Sequence, residues 1–180
     1  MKALNCKMKL ILALFLLSGF GLYAQDAKKE FHEEFATNQS TVLSVDTKFS
    51  ELVLNTWDQN KAEFDVTIEV ENKSKSDAKK LLDEINVNFT EEGNTIYIET
   101  VLDDNFSKGV QKVAQQFKIK ITGNIPSSIN LDVECKFGSI VLGTITGKAD
   151  ITSNFGSIEA EQFTGEEISL TVNQGEMKIG

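Results

Sequence analysis

Lys136-Phe-Gly-Ser-Ile140 and Asn154-Phe-Gly-Ser-Ile158 are two copies of one five-residue unit, and Asn173-Gln-Gly-Glu-Met177 is a third, weaker copy. The glycines at the centre of these units are 18 and 19 residues apart, and a further glycine lies about half-way along each interval. Self-similarity at a short fixed period is typical of a solenoid, in which each repeat stacks on the one before it. The repeat glycines are Gly138, Gly147, Gly156, Gly165 and Gly175.

Apolar residues alternate with polar ones between these glycines. Ile140 and Leu142 follow the first unit, and Ile158 and Ala160 follow the second. A period of two indicates strands that bury one face, and glycine suits the tight corners between them. We therefore predict an all-β fold built as a single-stranded β-solenoid, with β-helix-like coils of about 18 residues. A run of ordinary β-hairpins is the alternative.

An earlier segment matches the repeat and extends the predicted module towards the N-terminus. Residues 48–57 read KFSELVLNTW, and residues 136–145 read KFGSIVLGTI, so that five of the ten positions are identical. The N-terminal strands are therefore expected to belong to the same domain, which we assign to residues 25–180. Ser50 stands where the repeat has glycine, so this corner is expected to be built differently.

The region between the two matching segments is expected to hold more strands and one short inserted helix. Residues 62–71 alternate strictly between apolar and polar side chains, which predicts a strand. Ser76 is a candidate cap for a helix with an apolar side. Residues 87–90 and 95–101 form a predicted hairpin, and residues 102–116 have the composition of a solvated loop.

The first 24 residues have the pattern of a secretory signal peptide. Three lysines precede the apolar run Leu10–Leu17, and Ala24 ends an acceptable cleavage site. We predict that residues 1–24 are removed and that the mature chain begins near Gln25. Met8 is an alternative start, since it also opens a good signal sequence. The chain is thus expected to be exported to the periplasm, the outer-membrane surface or the medium, without a membrane anchor after cleavage.

Composition excludes several classes of partner. The net charge is −9, and loss of three lysines and no acids with the signal peptide makes it −12. A surface this acidic repels nucleic acid and anionic lipid. The sequence has no arginine, the usual bidentate ligand of phosphate.

No residue pattern indicates a catalytic, cofactor or metal site. His32 is the only histidine, and a metal site needs several converging ligands, so we expect His32 to be exposed without such a role. Cys135 is the only cysteine of the mature chain. It continues the series of alternate apolar residues whose side chains are expected to point into the core. We expect it to be a buried small hydrophobic residue, since no histidine is available to activate it. The repeat glycines are therefore the only site residues that we single out, and their predicted role is structural.

With its signal peptide, Phe-Gly-Ser-Ile units and Ile125-Pro126, the chain resembles a bacterial envelope family that carries the label "putative adhesin". The resemblance spans about residues 35–180. It implies a β-solenoid with Gly-x-Ile repeats and no known activity. It also implies a non-enzymatic envelope protein whose surface has a binding or structural role, with an envelope protein or a surface glycan as partner.

Two other functions remain open from the sequence. Relatives of this kind are often encoded beside anti-sigma regulators, which implies a regulatory partner of an envelope-stress system. A polysaccharide-acting β-helix enzyme is the other alternative, although the paired carboxylates that it needs are not apparent. The sequence stops at the start of a coil, at Gly180, and not at a polar cap. We therefore expect a truncated C-terminus or end-to-end self-association through this coil.

Overall fold

The structure is a computed structural model that describes residues 27–71, 74–103 and 117–180. It consists of one mixed β-sheet of eleven strands and one helix in these ranges. The predicted signal peptide and most of the predicted 102–116 loop lie outside the described residues. The elements are β1 (Ala27–Ala36), β2 (Val42–Thr47), β3 (Ser50–Trp57), β4 (Lys61–Val70), α1 (Lys75–Asp83), β5 (Ile85–Glu92), β6 (Thr95–Leu102), β7 (Phe117–Pro126), β8 (Asn130–Cys135), β9 (Gly138–Ile145), β10 (Ala149–Phe163) and β11 (Ile168–Ile179).

The strand order is not the order of the sequence. Across the sheet it runs β1-β4-β7-β3-β9-β10-β8-β2-β6-β5, and β11 pairs with β10. The β1–β4, β4–β7 and β5–β6 pairs are antiparallel, and the remaining pairs are parallel. The N-terminal half therefore contributes strands to both sides of the sheet.

The long strand β10 turns a corner and joins two walls of this sheet. Its residues 149–153 pair with β8, and its residues 156–163 pair with β9. We call β5, β6, β2, β8 and residues 149–153 the first wall. We call β1, β4, β7, β3, β9 and residues 156–163 the second wall. Alternate side chains of both walls point inwards and form one apolar core, in which Leu43, Leu52, Phe64 and Ile121 are fully buried.

The two walls converge at the end of the molecule that lies farthest from β11. Phe89 of β5 contacts two phenylalanines of β1, with ring centroids 6.1 Å from both Phe31 and Phe35. Helix α1 packs against the same region, touching β1, β4 and β5 through the buried Ala78 and Leu82. We call this region the closed end, because aromatic rings and the helix cover the core there.

The prediction of a single-stranded β-solenoid is wrong, although the all-β class is confirmed. The finding that overturns it is the pairing of the strands, which forms a nearly closed, barrel-like mixed sheet. Coils that follow one another in a solenoid would be neighbours in sequence order. Here β2 and β3 pair with the distant β8 and β9, and three antiparallel pairs complete the sheet. The physical reason is that β2 and β3 pair on their other edges with β6 and β7, which in turn pair antiparallel with β5 and β4. A local period cannot reveal which strands become these partners.

Several local predictions are confirmed and one is wrong. The segment 48–57 lies in register beside its match, with Leu52 opposite Ile140. The predicted hairpin is the β5–β6 pair, and residues 62–71 contribute most of β4. The helix cap is Ser74 and not Ser76, because the Ser74 hydroxyl accepts the backbone N–H of Asp77 at 3.4 Å.

Candidate functional site

The repeat glycines lie where the backbones of neighbouring strands approach most closely. Gly138, Gly156 and Gly175 are stacked in register at the corner between the walls. Gly156 has φ +155°, and a Cβ atom placed on it would lie 1.7 Å from the carbonyl oxygen of Gly138. Gly147 and Gly165 have similarly close backbone neighbours, at 2.2 and 2.1 Å from such a Cβ atom. At each of the five glycines, an added Cβ atom would overlap a backbone carbonyl oxygen of the neighbouring segment.

A row of phenylalanine rings stands just outside this corner. Phe137 stacks on Phe49 at 4.8 Å and on Phe155 at 4.9 Å, with 8° between the ring planes in each pair. Phe49 has φ +58°, which is how the chain forms the corner where serine replaces the repeat glycine. This row was not predicted from the sequence. The sequence signal for this row is the phenylalanine that immediately precedes the central glycine or serine in three of the matching segments.

The strand β11 presents an open edge at the opposite end of the molecule from the closed end. One edge of β11 pairs with β10 over residues 168–179. Within the described ranges no strand pairs with its other edge, which we call the outer edge. Its inward residues are apolar but only half covered, and Met177 and Ile179 are 42% and 41% exposed. We call this strand and its inward residues the open end; those residues are Ile168, Leu170, Val172, Met177 and Ile179.

Within the described ranges, the open end lacks most of the features that usually prevent strand pairing. Proteins protect sheet edges with proline, charged side chains, inward-pointing charges, bulges or a covering segment. Residues 168–179 contain no proline, and no charged residue occupies an inward position. The charged residues of β11, Glu176 and Lys178, lie on the outward positions, where Lys178 forms an ion pair with Glu159 of β10 at 2.9 Å. The open end can therefore form backbone hydrogen bonds and apolar contacts with another strand.

A shallow groove lined by several acidic residues lies on the first wall. It has a volume of about 450 Å³ and is lined by Asp46, Glu92, Tyr97 and Glu99 together with Ser44. Within residues 27–71, 74–103 and 117–180, no three His, Cys, Asp or Glu residues are placed to hold a metal ion. Among the same residues, no helix has the length and apolar character needed to cross a membrane.

Cys135 is buried, as the sequence predicts, and points into the core beneath the corner. Burial raises the pKa of its thiol, since the thiolate is poorly solvated there. We expect native residues 25–180, in which Cys135 is the only cysteine, to react with a thiol reagent at mildly alkaline pH only after denaturant is added. The measurement is the time course of labelling with and without denaturant, and rapid labelling of the native protein would place Cys135 at the surface.

His32 is exposed, as predicted, but it is paired. Its Nδ1 lies 2.9 Å from Oδ1 of Asp65 on the neighbouring strand. The hydrogen bond to Asp65, assisted by nearby carboxylates, raises the pKa of His32 above its usual 6.5. A raised pKa in the folded state stabilises the protein below the unfolded-state pKa, and this contribution disappears as the pH rises through the folded-state value.

The single histidine makes this pair directly measurable. We expect the His32 imidazole resonances to titrate with a midpoint above 6.5. The Asp65→Asn substitution should lower that midpoint, because it removes the main hydrogen-bond acceptor, whereas Glu33→Gln should leave it nearly unchanged. A midpoint that is the same in the Asp65→Asn variant and the parent would contradict this pairing.

Comparison with known proteins gives only weak structural similarity. No protein-family model matches the chain, and no curated protein matches it. A solved structure of a "putative cell adhesion protein" from Clostridium sporogenes is 10% identical with a TM-score of 0.46, covering 85% of this chain and 99% of that one. A "putative adhesin" from Bacteroides fragilis is 13% identical with a TM-score of 0.28, covering 85% and 97%. A "putative lipid binding protein" from Parabacteroides distasonis is 11% identical with a TM-score of 0.27, covering 88% and 98%. These values are too low to assign a fold or a function to this chain by similarity.

Proposed function

We propose that the mature chain is an exported, non-enzymatic binding protein of the bacterial envelope, and that it binds an extended strand of its partner along β11. The observation that carries the proposal is the open end. Its twelve residues Ile168–Ile179 have an outer edge that pairs with no described strand, beside inward apolar residues that are only partly covered.

Strand addition is the mode of recognition that this geometry supports. A strand added to an exposed edge gains backbone hydrogen bonds along its length, and alternate side chains supply specificity. An added strand would also cover Met177 and Ile179, the most exposed inward residues of the core. Burial of apolar area and pairing of backbone groups would therefore act together.

Export rests on the signal peptide predicted for residues 1–24, which lie outside the described residues. Expression of the full sequence in a bacterial host, followed by N-terminal sequencing of the protein from the periplasm or medium, tests this part. We expect a mature N-terminus at Gln25, within two residues. Retention of Met1 or Met8 would contradict export by cleavage.

Binding is tested with a labelled peptide that copies the edge strand itself, ISLTVNQGEMKI, titrated into residues 25–180 and followed by fluorescence anisotropy. We expect saturable binding of this peptide and none of a scrambled peptide of the same composition. The Leu170→Lys variant places a charge on the inward side and should weaken binding by about tenfold or more.

The matched control is Thr171→Lys, which places the same charge on the outward side and should not weaken peptide binding. Thermal melting of both variants checks that they are folded. If the peptide does not bind, or if the two lysine variants bind it equally well, the edge of β11 is not the binding site.

A further inference from the structure

We infer that the strand that β11 receives is β11 of a second copy of this chain, antiparallel to the first, about a two-fold axis at Asn173 and Gln174. This inference rests on the proposed function, because it names the partner that occupies the same edge. Three features of the described residues support it: the difference between the two ends, the pattern of β11 and the position of its bend.

The two ends of the sheet are not equivalent. At the closed end, the phenylalanine rings of β1 and β5 meet and α1 packs against them, so the core is covered. At the open end, the inward residues of β11 remain partly exposed. A head-to-tail stack would place the open end of one copy on the covered end of the next. Pairing of open end with open end instead covers both and produces a closed two-fold dimer, not a fibre.

The pattern of β11 is self-complementary when the second copy runs antiparallel. Centring the pairing between residues 173 and 174 places Ile168 opposite Ile179 of the second copy and Leu170 opposite Met177. Directly opposite residues point to the same face, so apolar inward residues contact apolar inward residues. A shift by one residue would place each of them opposite a polar residue.

The outward residues favour the same arrangement. Thr171 then lies opposite Glu176 of the second copy, and Ser169 lies opposite Lys178, so no like charges face each other. In a parallel, in-register pair, Glu176 would face Glu176 and Lys178 would face Lys178. Like charges directly opposite each other destabilise a strand pair.

The bend of β11 lies at the centre of this pairing. Val172 pairs with Ser153 and Gln174 pairs with Phe155, so β11 follows the corner of β10 at residues 173–174. Residues 168–172 of β11 continue the first wall, and residues 175–179 continue the second wall. A two-fold axis through the corner exchanges these two halves between the copies. The bent strand of the second copy can therefore follow the bent edge along its whole length.

Disulfide trapping of two single variants tests this register. Directly opposite residues in an antiparallel pair have Cα atoms about 4.5–5.5 Å apart, within the range that a disulfide requires. We expect an equal mixture of Thr171→Cys and Glu176→Cys to form a mixed disulfide dimer on mild oxidation. Each variant alone should form far less, because the two copies of position 171, or of position 176, are not opposite each other.

The parent protein is the control for Cys135, which is buried and should not cross-link. Sedimentation equilibrium of residues 25–180 should show a concentration-dependent dimer, and Leu170→Lys should weaken it by about tenfold or more relative to Thr171→Lys, whose added charge faces Glu176 of the second copy. Cross-linking of each single variant with itself at the level of the mixture would contradict the antiparallel register.

The outcomes also separate this inference from the proposed function. A monomer at all concentrations that still binds the β11 peptide would overturn the second copy as partner and leave strand addition intact. A monomer that does not bind the peptide would overturn both. Assemblies larger than a dimer that grow with concentration would overturn the two-fold arrangement, because they require head-to-tail contacts.

Discussion

Replacement of Gly156 by alanine is expected to reduce the free energy of unfolding by about 3–5 kcal/mol, from backbone strain and overpacking together. The added Cβ atom would lie 1.7 Å from the carbonyl oxygen of Gly138 and 2.8 Å from its carbonyl carbon. Neither is the end of a flexible side chain, so the backbone of β9 or β10 has to move. Because the glycines are stacked in register, such a movement also disturbs Gly175 on the next strand.

The matched control for this substitution is Gly93→Ala in the turn between β5 and β6. Gly93 also has positive φ, at +62°, but no atom lies within 4 Å of a Cβ placed on it. Its replacement should cost about 1 kcal/mol, from the left-handed backbone conformation alone. Chemical denaturation of the two variants measures the difference. Similar losses for both would show that close approach of the backbones at the corner is not limiting.

Truncation of Phe64 to alanine is expected to cost about 3–5 kcal/mol, as for other large buried side chains. Phe64 is fully buried, and its ring lies 5.4 Å from that of Phe89 and 6.2 Å from that of Phe35. It therefore links β4 of the second wall to β5 of the first wall and to β1. The variant leaves a cavity between the walls at the closed end.

Phe155→Ala is the control, since it removes the same ring from the surface row. Phe155 is 45% exposed and stacks on Phe137. Its loss should cost about 1 kcal/mol, from one aromatic pair and partial burial. Denaturation curves of the two variants separate the predictions. An equal or larger loss for Phe155→Ala would mean that the corner row, and not the closed end, holds the walls together.

The repeat is the part of the fold that the sequence predicts best, because its signal is local. Alternation around Ile140 and Ile158 indicates strands with one buried face, and the register of Gly138, Gly156 and Gly175 agrees with the repeat interval. The burial of Cys135 follows from the same alternation. The match between residues 48–57 and 136–145 predicted that both belong to one module, and the structure shows that they pair side by side.

The arrangement of the N-terminal half could not be predicted in this way. Nothing in the local pattern of β2 indicates that it pairs with β8 on one side and β6 on the other. Strands β4 and β7 alternate in the same way as the repeat, although they pair antiparallel. A strand with one apolar face can pair in either the parallel or the antiparallel direction. The two-residue alternation alone therefore does not distinguish a solenoid from a mixed sheet.

The candidate site, like the fold, could be predicted from the sequence only in part. The sequence by itself determined that β11 is a strand with apolar residues on one face and that glycine recurs at the corners of the repeat. The tertiary structure decided which core end is covered, because Phe31, Phe35 and Phe89 come from strands that are distant in sequence and meet only when the walls converge. It also decided that the outer edge of β11 faces no other described strand. Alternation is a property of the local sequence of each strand, whereas coverage of an edge depends on which strands the whole sheet brings together.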